Sequence, residues 1–522
     1  MPEPEVLERT EPTGRVEVAR ISLARKVIAS VGAFCLVALI GWAWAASRLP
    51  ASWSVMEMGT IALGGGHASG HGGGAAAGRV GGTSVADLTA DPARPADVTL
   101  TLVARQQRIT VPGGVEVDGY TLNGASPGPT IRARQGQLVQ VRLVNESVAD
   151  GTTLHWHGLD VPASQDGVAG VTQDAVPPGS EHTYRFVAEQ AGTYWYHSHQ
   201  VSHEQVRRGL YGAIVIEPTS AGGVARGGGV AGGGVEVSHD VVALVHQLGG
   251  QPTLNGRVAD VHVAANPREA VRIRVVNTDD ALMAVWAGGP FTLAAVDGTV
   301  LAGATEVTGQ RVDVTAGARA DLVMRAPADG SSVRVHLGGS RSIVVGAPAA
   351  APPVRQPAQV LDLLTYGSPT PLGFDPRDAD RQFDYVIGRR PGLVDGRPGL
   401  YWTVNGRLYP DVPMFHVSEG DVVRFRIANE SSESHPMHLH GHHVLVLSRD
   451  RVPSTGARWW VDSLEVAPGE EFEVVLVADN PGIWMDHCHN LPHATEGLVA
   501  HLSYDGVTSP YLLGGTAANR PE

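Results

Sequence analysis

Residues 485–498 read MDHCHNLPHATEGL, and this stretch decides how the rest of the chain is interpreted. It holds Cys488, the only cysteine outside an apolar segment near the N-terminus, so the body of the chain has no disulfide. His487 and His489 flank Cys488, and His493 follows five positions after it. A thiolate beside imidazoles suits copper or zinc, and one cysteine with two histidines is typical of blue-copper electron-transfer sites.

A strand over residues 487–489 would turn successive side chains to opposite faces. His487 and His489 would then face one way and Cys488 the other, which predicts two metal centres joined through one short backbone. The alternative is a half-buried cysteine beside incidental histidines. Three other histidine pairs with the same spacing argue against it, since each presents both rings to one face of a strand: His155 and His157, His197 and His199, and His438 and His440, the last preceded by His435.

The composition favours a β-rich protein with many turns. The 522 residues are enough for about three domains. Glycine and proline number 65 and 35, and only 18% of residues are charged, which does not suit a protein of long helices. The net charge of −14 argues against nucleic acid as a partner.

Residues 27–47 form an uncharged, mostly apolar run with Arg25 and Lys26 before it and Arg48 after it. About 20 apolar residues span a bilayer. The flanking charges predict a cytoplasmic N-terminal segment over 1–26 and a transmembrane anchor over 27–47. The alternative is an export signal cleaved near Ala43-Trp44-Ala45. We favour the anchor, and under either interpretation the rest of the chain is extracytoplasmic.

Composition also divides the chain into a linker and three domains. A Gly-rich linker is expected over 48–94, and its Met56, Met58, His67 and His71 are most simply linker residues, although thioether and imidazole groups can also collect copper. Beyond it, short alternating runs bounded by turn residues predict strands of β-sandwiches. A Gly-rich stretch at 222–234 and an Ala/Pro-rich stretch at 347–357 separate domains over 95–220, 235–347 and 358–510.

The three domains repeat one another. Each has an Asn-Gly turn followed by a strand that ends in a second asparagine, and the two asparagines are 22, 22 and 24 residues apart: Asn123 and Asn145, Asn255 and Asn277, Asn405 and Asn429. Histidine pairs follow in the first and third domains only. We therefore expect the middle domain to be a spacer without ligands and the metal site to lie between the outer two.

The four histidine segments resemble the four copper-binding motifs of multicopper oxidases, the laccase-like family of three cupredoxin domains. The resemblance covers about residues 95–510, and the motifs occur in the family's order. It implies an all-β fold of three consecutive Greek-key sandwiches and four coppers per chain. It also implies that type 1 copper takes His435, Cys488 and His493. Many bacterial relatives have methionine as axial ligand where this chain has Leu498, so a three-coordinate site of higher potential is expected.

The same resemblance assigns the other eight histidines. Type 2 copper would take His155 and His438, and the type 3 pair would take the remaining six: His157, His197 and His489 on one copper, and His199, His440 and His487 on the other. Electrons from a small reducing substrate would pass from Cys488 through His487 and His489, and dioxygen would be reduced to water.

Proton supply is the less complete part of the pattern. Asp166 resembles the family's acidic residue beside the cluster, where a carboxylate can relay protons. A second acid in many bacterial relatives directly follows the last type 1 histidine. Here that position is Ala494, and Glu496 lies two residues further on.

Several functions are compatible with these motifs. The first is oxidation of phenols or aromatic amines, and the alternative is oxidation of cuprous or ferrous ions. A cuprous oxidase is expected to carry a Met-rich segment, whereas methionines in this body are scattered, which favours laccase-type activity. A non-enzymatic relative would have lost ligands, and this chain keeps all eleven. A copper nitrite reductase or simple electron carrier would need fewer domains and histidines.

Overall fold

A computed structural model describes residues 14–65, 82–111, 114–219, 237–348 and 351–522. His67 and His71 lie outside the described residues. The described chain forms two units, one of residues 14–50 with 391–400 and one of residues 51–390 with 401–522, with the gaps just given.

The first unit contains helix α1 (Gly14–Ala46). Its residues Arg25–Ala46, with a mean hydropathy of 2.1, form the one described helix that is long and apolar enough to cross a membrane. After the helix, Arg48 Nη1 donates to the carbonyl of Asp395 at 3.2 Å. The backbone N–H of Gly396 donates to Ser47 Oγ at 3.1 Å. The predicted apolar N-terminal helix is therefore present, and its length and composition fit an anchor or a signal.

Three short strands precede the body, in the region where we expected a linker over 48–94: β1 (Ser52–Trp53), β2 (Thr60–Ala62) and β3 (Thr83–Ser84). They pair with strands near 513, 413 and 507 of the chain's last third. An edge strand leaves a row of backbone groups unpaired, and a neighbouring extended segment can satisfy them. The flanks of the Gly-rich stretch are thus part of the β-structure.

The first segment (95–220) is a sandwich of two four-stranded sheets, in the orders β5-β4-β7-β9 and β6-β11-β10-β8. A short helix, α2 (Ser202–Gln205), lies between its last two strands. The strands are β4 (Val98–Val111), β5 (Val115–Leu122), β6 (Ile131–Arg134), β7 (Leu138–Asn145), β8 (His155–His157), β9 (Ser180–Val187), β10 (Gly192–His197) and β11 (Tyr211–Glu217).

The middle segment (235–347) is a sandwich of seven-stranded and five-stranded sheets. Its strands are β12 (His239–Leu248), β13 (Gln251–Leu254), β14 (Val261–Ala264), β15 (Ala270–Asn277), β16 (Met283–Ala287), β17 (Phe291–Val296), β18 (Thr299–Val300), β19 (Glu306–Val307), β20 (Val312–Val314), β21 (Arg319–Arg325), β22 (Ser332–Leu337) and β23 (Arg341–Gly346).

The third segment (358–510) combines an eight-stranded and a six-stranded sheet, the latter in the order β2-β27-β36-β35-β29-β33. Helix α3 (Leu491–Thr495) interrupts its strands. These are β24 (Arg381–Val394), β25 (Arg397–Val404), β26 (Arg407–Leu408), β27 (Pro413–Val417), β28 (Val422–Asn429), β29 (His435–Leu439), β30 (Val444–Arg449), β31 (Val452–Pro453), β32 (Trp460–Val461), β33 (Ser463–Val466), β34 (Glu471–Val477), β35 (Ile483–Cys488), β36 (Val499–Tyr504) and β37 (Val507–Thr508), followed by β38 (Leu513–Gly514).

The repeated asparagines have the same structural role in all three segments. Asn123, Asn255 and Asn405 have φ of 55°, 51° and 54°, the left-handed conformation that tight hairpin turns require. The side-chain oxygen of each accepts from a backbone N–H of the neighbouring strand at 2.7, 2.9 and 2.7 Å. The second asparagines are buried and donate to carbonyls of the loops that follow. The predicted all-β fold of three sandwiches is confirmed, and the repeat fixes where each histidine-bearing loop begins.

Candidate metal centre

Strand β35 separates two groups of metal-binding side chains in the way the alternation predicted. It pairs with β29 so that His438 lies opposite His487 and Met437 lies opposite Cys488. His487 joins histidines from the first segment, whereas Cys488 joins His435 and His493. Both groups are buried. Two adjacent residues of the strand, His487 and Cys488, therefore belong to two different candidate centres.

The smaller group has the spacing of a three-coordinate site. Cys488 Sγ lies 3.7 Å from Nδ1 of His435 and 3.7 Å from Nδ1 of His493, and the two nitrogens are 3.2 Å apart. Metal bonds of about 2.3 Å to sulfur and 2.0 Å to nitrogen, at trigonal angles, separate such atoms by about 3.7 Å. Burial raises the pKa of Cys488 well above its usual value, so metal binding must release the thiol proton.

The larger group brings together all eight remaining predicted histidines in three buried clusters: His155, His157 and His438; His157, His197 and His489; and His199, His440 and His487. Ring nitrogens in it face one another at short range. Nε2 of His440 lies 3.2 Å from Nε2 of His487, and Nε2 of His438 lies 3.4 Å from Nε2 of His155. Two nitrogens bonded at about 2.0 Å to one tetrahedral metal would be about 3.3 Å apart.

The protonation states of these rings suit a metal. Burial is the largest cause that lowers the pKa of His157 and His487 to about 3 and those of His197, His199 and His489 well below the usual value. Neighbouring imidazoles lower all five further, and at His157, Arg319 lowers the pKa while Asp462 opposes it. The rings are thus neutral and keep a free lone pair. Buried nitrogens without a hydrogen-bond partner occur on His157, His197, His199 and His489. Unpartnered buried nitrogens are costly, and a bound ion would satisfy one nitrogen of a ring that it contacts.

Asp166 lies where the sequence predicted an acid beside this group. Its carboxylate accepts from His440 Nδ1 at 3.0 Å, and its other oxygen lies 3.0 Å from His155 Nδ1. Its backbone carbonyl accepts from the same nitrogen of His155 at 2.9 Å. Such contacts fix which nitrogen of each ring faces the metal.

The position of the missing second acid is not filled by Glu496. Ala494 is buried without a carboxyl group, and Glu496 instead accepts from Arg389 Nη2 at 3.2 Å. A different carboxyl lies near the cluster: Glu522 Oε1 is 3.3 Å from His487 Nδ1, while Ser202 Oγ donates to its other oxygen at 2.8 Å. Burial raises the pKa of Glu522 to about 8.

Glu522 arrives on residues 515–522, which we call the strap. The strap leaves the third segment after β38 and lies on the loop that follows the second histidine pair. Val201 N donates to Arg520 O at 2.6 Å, and Arg520 N donates to Gln200 Oε1 at 2.8 Å. Arg520 Nη2 also donates to Asp150 at 2.7 Å. The strap therefore ties the third segment to the first beside the cluster.

The edge of the smaller group is lined by an ion-paired cluster. Glu433 Oε2 lies 3.3 Å from His493 Nε2, and its other oxygen accepts from Arg389 at 2.8 Å. The Arg389 guanidinium lies over Trp402, 4.3 Å from the ring centre, and Trp402 packs against both His435 and His493. Arg389 and Glu433 are exposed, whereas Trp402 is buried beneath them against the two histidine rings.

Sequence reasoning missed four residues at these two groups: Glu433, Glu522, Arg319 and Asp462. The last two form a buried ion pair behind His157. Only Arg319 carried a signal in the sequence, as a charged residue at the start of an apolar strand, because such residues are rarely buried without a partner.

Comparisons with known proteins agree with this geometry. Two family models, both described as multicopper oxidase, match residues 103–221 and 385–505. The multicopper oxidase MmcO of Mycobacterium tuberculosis is 30% identical over 511 residues, covering 85% of this chain and 95% of that protein. Laccase-2 of Podospora anserina is 27% identical over 77% of each chain. A solved multi-copper oxidase from Pseudomonas thermotolerans superposes with a TM-score of 0.63 at 26% identity, over 78% of this chain and all of the other.

The fold and the two histidine groups define a copper oxidoreductase. By these comparisons the chain belongs to the multicopper oxidase family.

Proposed function

We propose that this protein oxidises phenols or aromatic amines by one electron at a time and reduces dioxygen to water with four electrons. One observation carries the proposal: the neighbouring residues His487 and Cys488 of β35 belong to two different groups of side chains. Cys488 lies with two histidines, and His487 lies with seven others. Copper held by these eleven side chains would supply the one-electron redox chemistry. We assign His435, Cys488 and His493 to type 1 copper and the eight other histidines to the type 2 and type 3 coppers as the motifs imply.

The protein's own residues have three tasks in this reaction. The exposed Glu433, beside the proposed type 1 site, receives the reductant, and its carboxylate can take the proton that a phenol loses. The backbone between Cys488 and its two flanking histidines connects the groups. Asp166 holds the rings of His155 and His440 and can pass protons to the water-forming side.

Residues at the type 1 edge favour an organic reductant over a metal ion. Two carboxylates, Glu433 and Glu496, would be suitable ligands for a cation, but both are paired with Arg389. The five methionines of the described body are also buried, so no thioether is offered to cuprous ions there: Met283, Met324, Met414, Met437 and Met485. The second candidate, oxidation of Cu(I) or Fe(II), is tested by the same experiment.

That experiment measures dioxygen uptake by the copper-loaded protein with a phenol, an aromatic amine, Cu(I) and Fe(II). We expect the highest kcat/KM with the two organic donors. Dioxygen uptake with Fe(II) or Cu(I) but with neither organic donor would reverse the assignment of the substrate.

We further propose that the protein acts outside the cytoplasm, anchored by α1. A mature protein that is free in the medium with its N-terminus near Ala46 would contradict the anchor.

The copper content is the first prediction. The copper-loaded protein should hold four coppers per chain and show an intense thiolate-to-copper absorption band, because both groups are complete. Metal analysis and the visible spectrum measure this. One or two coppers without the band would contradict the assignment.

The second prediction concerns Leu498, which is fully buried and whose carbonyl accepts from Cys488 N at 3.2 Å. Leu498→Met would add a sulfur donor that stabilises Cu(II), and methionine packs much as leucine does. The type 1 potential should therefore fall, and a fall of about 59 mV would be tenfold in a one-electron equilibrium. A redox titration followed at the thiolate-to-copper absorption band measures the type 1 potential. An unchanged potential would mean that Leu498 does not occupy the axial position of the type 1 site.

The third prediction tests Glu433. Glu433→Gln should lower kcat/KM for phenols by about 100-fold, because a positioned base is lost from the type 1 edge. Ferrocyanide, which loses no proton on oxidation, serves as the comparison donor and should be oxidised at least as fast as by the wild type, because the variant also removes a negative charge that repels this anion. An equal loss with both donors would show that Glu433 affects the copper itself.

A further inference from the structure

The middle segment, expected to be a spacer, touches the metal cluster although it supplies no ligand. Gly317, with φ of +82°, lies so close to two ligand rings that a Cβ there would be 2.8 Å from His157 Cε1 and 3.1 Å from His489 Cδ2. Its carbonyl accepts from Trp195 Nε1 at 3.0 Å. The turn before β21 therefore packs directly against the rings of His157 and His489.

Two residues further on, Arg319 reaches across to the third segment. Its Nη1 and Nη2 donate to the two carboxylate oxygens of Asp462 at 2.7 and 2.5 Å, and both side chains are fully buried. Its Nε donates to the carbonyl of Thr193 at 3.0 Å. A guanidinium holds a carboxylate at two points, which fixes position as well as charge. Burial alone would raise the pKa of Asp462, but Arg319 and the neighbouring histidines hold it well below its usual value.

Asp462 in turn holds two of the proposed ligands. Its Oδ1 accepts from His157 Nε2 at 3.1 Å, and its backbone carbonyl accepts from His438 Nδ1 at 2.8 Å. A neutral imidazole has a single N–H, so each of these bonds fixes a tautomer. The free nitrogens are then Nδ1 of His157, which is buried without a partner, and Nε2 of His438, which faces His155.

We propose that Arg319 and Asp462 are a positioning pair for the copper cluster, through which the middle segment sets the orientation of His157 and His438. The inference rests on the proposed copper centre. It goes beyond that centre because it gives the segment without ligands a defined part in metal binding. A positioning role requires both hydrogen bonds between the Arg319 guanidinium and the Asp462 carboxylate, whereas charge compensation alone would need only a positive charge at position 319.

The test compares Arg319→Lys and Asp462→Asn with the wild type in the full chain. Lysine keeps the positive charge but lacks the planar guanidinium that binds a carboxylate at two points. Asparagine keeps the shape of aspartate but lacks its negative charge. Loss of such a contact behind a ligand typically weakens metal binding 10- to 100-fold. We expect that loss for copper at the cluster, measured by competition with a chelator. The fraction of copper visible by electron paramagnetic resonance should rise, because the variants would disturb the coupling between the two proposed type 3 coppers. The thiolate-to-copper band of the proposed type 1 site should stay unchanged.

Two matched variants separate positioning from stability. Arg274→Lys changes another buried arginine of the middle segment, one that pairs with Asp240 and Asp321 and contacts no histidine in the described structure. It should lower the unfolding temperature of the copper-free protein and leave copper affinity unchanged. Ser463→Ala removes the other partner of His157 Nε2, 3.0 Å away, and should have the smaller effect on affinity.

The outcomes are distinct. Wild-type copper affinity and a wild-type resonance spectrum in Arg319→Lys would overturn the inference, whatever the stability of Asp462→Asn. An equal loss of affinity in Arg274→Lys would reduce the pair to a general stabilising contact and would also overturn it. A wild-type protein that binds no copper at the cluster would instead contradict the proposed function.

Discussion

Replacing Cys488 with serine should abolish the blue band and reduce oxidation of every donor to background. The hydroxyl oxygen is a hard, weak ligand where the site offers a thiolate, so electrons would lose their entry point. The eight histidines are unchanged, so copper at the cluster should remain, giving about one copper less per chain. A buried hydroxyl that is only poorly placed for hydrogen bonds to His435 and His493 should also lower the stability of the copper-free protein by about 1 kcal/mol.

Cys35→Ser is the matched control, because Cys35 is the exposed cysteine on α1 and Cys488 the buried one. It should keep the spectrum, the copper content and the activity. Metal analysis, the visible spectrum and dioxygen uptake measure both variants. Substantial turnover by Cys488→Ser would show that electrons reach the cluster by another route.

Asp166→Asn should keep four coppers and the blue band but lower turnover by about 100-fold or more, the usual contribution of a positioned acid or base. The amide cannot take and release a proton, although it is the same size as the carboxyl group. Turnover is measured with both the donor and dioxygen saturating, so that electron entry does not limit the rate.

Asp118→Asn provides the comparison for this variant, because its carboxyl group is exposed on β5. It should leave turnover unchanged. If Asp166→Asn loses copper instead of turnover, Asp166 acts by holding His155 and His440 and the proton role has to be abandoned.

Local patterns in the sequence predicted most of the side chains that the structure brings together at the candidate metal site. A period of two along a strand decides which side chains share a face, so the separation of Cys488 from His487 followed from adjacent residues alone. The repeated asparagines were equally readable, because an Asn-Gly turn has a local signature. The axial place of Leu498 remains a prediction, although the residue is buried beside Cys488.

Residues that act across long chain separations were not predictable. Asp462 is 305 positions from His157 and came into reach only through packing between segments. Glu522 lies outside the region covered by the motifs, so nothing in the sequence connected it with the acid missing at Ala494. Glu433 lies in the loop before β29 and Arg389 lies within β24, and only tertiary contacts bring them together beside His493.

The strap has a consequence for how the protein is made. Residues 515–522 are synthesised after every ligand, yet they hydrogen-bond to Gln200, Val201 and Ser202 beside the second histidine pair. The histidine pair His197 and His199 is made early, but the neighbouring residues 200–202 gain these partners only after residues 515–522 have been made. The contacts that cover this side of the cluster are therefore among the late ones to form in a newly made chain.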